Sequence, residues 1–195
     1  MTRKFNATCA TAAAAAAALM GCGGGSPLDN PERLANPLGT SGQKLSFVYF
    51  QRCVNRVLST PLQLNVNGVI STNTCAAGGC HDNTTGTGGA LRLLGNAPPV
   101  DLLLGADAKR ATDMFKNYYS SLAETVVRAP DQSRLLNKPL VRGVLHGGGL
   151  IFDSADNPSA KLINYWINRP MPQGQDEFGS AADMFDPVTG ACNSD

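Results

Sequence analysis

A mainly α-helical fold with long loops and at most a short β-hairpin is predicted by three features of the chain. Apolar side chains recur at three- and four-residue steps in separate stretches near Phe47, Phe115 and Trp166. A single stretch, Leu62 to Ile70, alternates apolar with polar residues around Asn67-Gly68, the pattern of a small hairpin. Between these lie segments dense in glycine, proline and asparagine, and no internal repeat is evident.

The elements follow in order. Met1-Thr2-Arg3-Lys4 precedes an alanine-rich apolar run from Ala10 to Met20, and Leu19-Met20-Gly21-Cys22 stands before a glycine run. That is the layout of a lipoprotein signal: a basic start, a short apolar stretch, a small residue and the cysteine that takes the lipid. The apolar run falls short of the roughly 20 residues that span a bilayer. Residues 1–21 are therefore expected to be removed, leaving Cys22 as the lipidated N-terminus on the periplasmic face of the outer membrane. Gly23 follows it, where an aspartate would retain the protein at the inner membrane. Residues 22–42 read as a flexible tether, and 43–195 as one domain with a C-terminal tail.

A first helix is expected over Leu45 to Leu58, with Phe47, Phe50, Val54 and Val57 on one face. Pro61 ends it and the hairpin follows. Asn83 to Gly89 reads as loop. Asp107 is the expected N-cap of a second helix presenting Ala111, Phe115, Tyr118 and Leu122. A helical turn is expected from Asp131 to Asn137, opened by Pro130 and broken at Lys138-Pro139. A last helix, Ser159 to Asn168, pairs Leu162 with Trp166 and Ile163 with Ile167, and Pro170 stops it.

Charge excludes one class of partner. The whole chain carries a formal +1, and loss of Arg3 and Lys4 with the leader takes it to −1, whereas nucleic-acid binding requires a strongly basic face.

The chemistry concentrates in Cys75-Ala-Ala-Gly-Gly-Cys80-His81. Two thiols followed at once by an imidazole are what covalent haem c attachment requires: the thiols form thioethers with the vinyl groups, and the histidine reaches the iron. The usual gap between the thiols is two residues, and here it is four. The chain holds two histidines. The second, His146, stands in Leu145-His146-Gly147-Gly148-Gly149, where glycines permit close approach of backbone to a flat macrocycle. It is the favoured distal ligand, ahead of Met171 in its proline setting; Met114 reads as core, and nothing recommends Met184. Lys138 and Arg142 are candidate partners for the propionates.

The six cysteines sort accordingly. Cys9 leaves with the leader, Cys22 carries lipid, Cys75 and Cys80 hold haem, and Cys53 with Cys192 pairs in an oxidising compartment. A competing allocation makes Cys75–Cys80 and Cys53–Cys192 both disulfides without a cofactor. Another makes Cys75, Cys80, His81 and His146 a zinc set.

The order of parts resembles the monohaem cytochrome c fold: N-terminal helix, thiol-thiol-histidine motif, middle helix, ligand loop and C-terminal helix with an aromatic residue. More narrowly, Ser133-Arg134-Leu135-Leu136-Asn137-Lys138-Pro139, His146-Gly147-Gly148-Gly149 and Tyr165-Trp166-Ile167 look like the cytochrome c domains of planctomycete-type proteins, and the Tyr49 helix fits their pattern. The likeness covers most of residues 43–169; the longer thiol gap, the longer approach to Cys75 and the tail beyond Met171 depart from it. It implies one covalent haem c, thioethers at Cys75 and Cys80, His81 as proximal ligand and His146 in the distal position. A bis-histidine iron closed to substrates would carry electrons to and from a redox partner protein of unknown identity. The alternatives are a haem enzyme or sensor with a displaceable distal histidine, and a haem-free disulfide or zinc lipoprotein.

Overall fold

The computed structural model describes residues 42–66, 68–179, 181 and 183–195. The leader over 1–21 with Cys9, the lipidation site Cys22 and all but the last residue of the tether lie outside the described residues. Within them the architecture is mixed, with helix the larger part, one two-stranded sheet, and long runs of turn and loop. No described helix is long and apolar enough to cross a membrane.

Helix α1 is α-helical over Phe47–Tyr49, widens to a π-helical turn over Phe50–Val54 and returns to α geometry over Asn55–Ser59. It starts two residues later than its apolar spacing predicts. Ser46 adopts extended backbone, and its hydroxyl accepts from the Tyr49 amide at 3.1 Å, satisfying one of the amides a helix start leaves unpaired. The released Leu45 carbonyl accepts from the Tyr118 hydroxyl at 2.7 Å. Phe47, Val48, Tyr49, Phe50, Cys53, Val54, Val57 and Leu58 are all buried. A helix covered on so many sides belongs to the centre of a fold.

Strands β1 (Leu62–Val66) and β2 (Val69–Asn73) pair antiparallel from Leu62↔Asn73 to Val66↔Val69. Gly68 occupies the left-handed region at φ +84° in the turn, a conformation glycine adopts without steric cost.

The expected second helix is two. Helix α2 (Ala106–Arg110) follows Gly105, and α3 (Asp113–Leu122) begins anew at Thr112, whose hydroxyl accepts from the Phe115 amide at 3.2 Å. Asp107 therefore lies inside α2 and is not a cap, and Ala111 is exposed at the break rather than on the buried face. Thr112 competes for backbone partners and restarts the helix, which is why one apolar spacing was interrupted.

A 3-10 turn (Pro130–Gln132) and the short α4 (Arg134–Asn137) replace a single helical turn. Ser133 separates them with extended backbone, and its hydroxyl accepts from the Val126 amide at 2.9 Å. Helix α5 (Pro158–Asn168) has Asn157 as cap and Pro158 in its first turn, one residue earlier than predicted. Ile163, Trp166 and Ile167 are buried, while Leu162 is half-buried.

Aromatic rings join these helices. Phe50 lies 5.3 Å from Trp166 and 5.6 Å from Tyr118 between ring centres, and the Trp166 indole donates to the Ser46 carbonyl at 2.9 Å. The tail closes on the outer side of α1. Cys53 and Cys192 form a disulfide across a Cα separation of 6.1 Å, Arg52 donates to the Gly190 carbonyl at 2.8 Å and covers the Phe185 ring, and Tyr49 donates to the Asn193 carbonyl. The expected Cys53–Cys192 pairing is thus present.

Candidate functional site

The thiol–imidazole segment leaves β2 and folds against the end of α1, where the Ala76 amide donates to the Leu58 carbonyl at 3.2 Å. Turns carry the four residues between the thiols: Ala76 is buried, while Gly79 reverses the chain at φ +81°. The His81 amide returns to the Cys75 carbonyl at 3.0 Å, so the imidazole is fixed relative to the first thiol by the main chain itself.

His81 is clamped from three directions. Its carbonyl accepts from the Leu93 amide at 2.7 Å, one of the two bonds of a parallel bridge between Leu93 and the next residue, Asp82. Its Nδ1 meets the Leu91 carbonyl at 3.1 Å. Gly88 lies so close to the ring that a Cβ there would stand 2.5 Å from Nδ1. Residues 92–94 are held in turn by α3, since Ser120 accepts from the Arg92 amide at 2.7 Å and Asn117 makes paired bonds with the backbone of Leu94. Burial lowers the His81 pKa, opposed by the Leu91 carbonyl and reinforced by the charges of His146, Lys138 and Arg92. The ring is neutral at pH 7, as a metal-ligating imidazole must be.

His146 faces the same space from the other side. The two ring centres are 6.4 Å apart with planes only 11° from parallel. His146 places Nδ1 2.8 Å from the Gly149 carbonyl, and Gly149 reaches it through left-handed backbone at φ +73°. Each imidazole thus uses Nδ1 on a carbonyl, which selects the tautomer with an unprotonated Nε2.

Between the rings lies a cavity of about 450 Å³, within the range of cofactor pockets. Cys75, Cys80 and His81 form one part of its wall, His146, Gly147 and Gly148 another, and Leu62, Leu64 and Ile151 supply apolar surface. Lys138 reaches the cavity; Arg142 is exposed and does not line it. A smaller hollow shares Cys75, His81, Gly88, Lys138 and His146 and adds the buried Glu124, whose carboxylate is 3.5 Å from Arg134.

The donor set discriminates among the groups proposed for it. Among the described residues no three His, Cys, Asp or Glu side chains converge as a lone metal ion requires, and burial beside Cys80 pushes the Cys75 thiol up to about 11. That arrangement does not favour the zinc set. Cys75 and Cys80 are both free thiols, so the second disulfide of the cofactor-free allocation is absent. Two opposed imidazoles suit a metal whose other donors come from a macrocycle. The 6.4 Å between ring centres leaves room for one metal ion between the two imidazoles. The free thiols and apolar side chains of the wall and the side-chain-free surface of Gly147 and Gly148 fit the rest of a haem c.

Met114, Met171 and Met184 are buried in the core and none lines the cavity. Sequence reading missed Gly88 and Leu91, which orient His81, and the wall provided by Leu62 and Leu64. The alternation of β1 contained the last of these; Gly88 sat unremarked in a glycine-threonine run. No family model, curated protein or solved structure matches the chain.

Proposed function

We propose that the chain is a c-type cytochrome with a cytochrome c-like fold, lipid-anchored through Cys22 at the periplasmic face of the outer membrane, and that it passes single electrons between partner proteins. The observation that carries this reading is the pair of near-parallel imidazoles 6.4 Å apart across one cavity with two free thiols on its wall. Bound there, haem c would supply a one-electron ferric/ferrous couple. Cys75 and Cys80 would hold it through thioethers, and His81 and His146 would be its two imidazole ligands.

The chain's own residues set the conditions. The Leu91 and Gly149 carbonyls orient both rings, and accepting from Nδ1–H makes each Nε2 a stronger donor. Two imidazoles favour the ferric state more than a histidine–methionine pair does, which predicts a comparatively low potential. Lys138 offers a cation to an anionic ligand edge at the cavity wall. An imidazole on each side of the cavity would leave a bound iron no vacant position at rest, which favours an electron carrier over a catalyst.

The test is an absorption spectrum of the protein secreted by a host competent in haem c maturation, oxidised and reduced, before and after acid-acetone extraction. Sharp low-spin bands that survive extraction are expected. A colourless protein would overturn the proposal. In the same host, His146→Ala should convert the ferric spectrum from low-spin to high-spin, and an unchanged spectrum would remove His146 as the ligand.

A further inference from the structure

The two histidines are held very differently, and the difference points to a ligand site. His81 follows Cys80 directly, bonds backbone to backbone with Leu93, and is backed by Gly88. For His146 the only bonds among the described residues are to Gly149, within its own loop: the ring to the Gly149 carbonyl and the Gly149 amide to the His146 carbonyl. From Gly143 to Gly148 no described backbone hydrogen bond reaches another element. Leu145, just before the histidine, is 88% exposed and anchors nothing. Gly143 and Gly149 bracket the loop with left-handed backbone at φ +63° and +73°, glycine positions that serve as hinges.

We propose that His146 is a displaceable ligand, and that swinging its loop outward opens the distal side of the cavity to a neutral diatomic π-acceptor such as carbon monoxide or nitric oxide. This rests on the haem reading above. In the exchange the bond from His146 Nε2 breaks and one from the entering molecule forms, with no net electron or proton transferred. His81 stays because its loop is fixed to Leu93 and its neighbour is the thioether cysteine. Leu62, Leu64 and Ile151 on the wall give a small uncharged molecule apolar contact.

The probe is carbon monoxide, mixed in stopped flow with the dithionite-reduced, haem-loaded full chain. Uptake is expected at a rate that rises with carbon monoxide and then reaches a plateau set by loop opening. His146→Ala should bind without a plateau. Gly143→Ala places a side chain at φ +63° with open space around it, so only backbone strain is added, and the plateau should rise about five-fold. It keeps the proposal testable if His146→Ala does not load haem. A low-spin haem spectrum with no uptake at saturating carbon monoxide overturns displacement and leaves the electron-carrier reading standing. A plateau unaffected by Gly143→Ala overturns the loop's part in it. Absence of covalent haem overturns the parent reading instead.

Discussion

At the scale of single residues, the site is built by what stands behind the chemistry. His81 was evident from its place after Cys80, but its orientation depends on a carbonyl and on a missing side chain, and neither leaves a compositional trace. Gly88→Ala should cost about 1–3 kcal/mol, because the new methyl must displace the imidazole or the Cys80 carbonyl, 2.7 Å away. Thermal melts would show the loss, and the haem-loaded protein would show weakened low-spin bands as the ring leaves the Leu91 carbonyl. A Gly88→Ala variant with the original melting point and spectrum would show that the ring is not held there. Lys138 and Arg142 looked equivalent in sequence. The fold separates them by turning the chain at Val141, itself in left-handed backbone at φ +51°.

At the scale of elements, periodicity located α1, α3 and α5, and alternation located the hairpin, because each helix buries apolar side chains in a common core and the strand's alternation sets its pairing. Boundaries were less legible. Ser46, Thr112 and Ser133 each capture a backbone amide with a side-chain oxygen, and such local bonds override a continuous apolar pattern. The π-helical turn in α1 was invisible for another reason: five residues per backbone bond instead of four still leave Phe50 and Val54 buried, so the hydrophobic spacing hardly changes. The disulfide ties this turn to the tail across 139 residues. Replacing Cys53 and Cys192 by serine should destabilise the fold by about 3–5 kcal/mol through the freed chain entropy. The melting point should fall by roughly 5–15 °C, and calorimetry of the oxidised wild type beside the double variant measures it. A fall of only a degree or two would mean that Arg52, Phe185 and Tyr49 hold the tail unaided.

For the whole molecule, the buried tyrosines fix where alkali begins to act. Burial raises the pKa of both Tyr49 and Tyr118, with Glu177 and Asp176 adding to the latter. A raised folded value means that the neutral phenol is the form the fold binds. This contribution is complete below the unfolded tyrosine value of about 10 and is lost as pH rises through the folded values. Melting points should therefore hold to about pH 9.5 and then decline steeply. Tyr118→Phe should flatten that decline while costing about 1 kcal/mol at neutral pH for the lost bond to Leu45; an equally steep decline would assign alkaline unfolding elsewhere. The overall arrangement, helices around an aromatic centre with the cavity to one side, was readable because each helix carries its own periodicity. How the loops around His81 and His146 meet was not, since it is decided by backbone bonds between segments far apart in sequence. The Cys53–Cys192 bond has one more consequence, topological rather than energetic. It makes residues 53–192 a covalent ring that contains both histidines, both free thiols and every wall of the cavity. A protease that cuts the exposed stretch around Leu145 opens that ring without producing a fragment. The nicked protein keeps its apparent mass until a reductant separates the pieces.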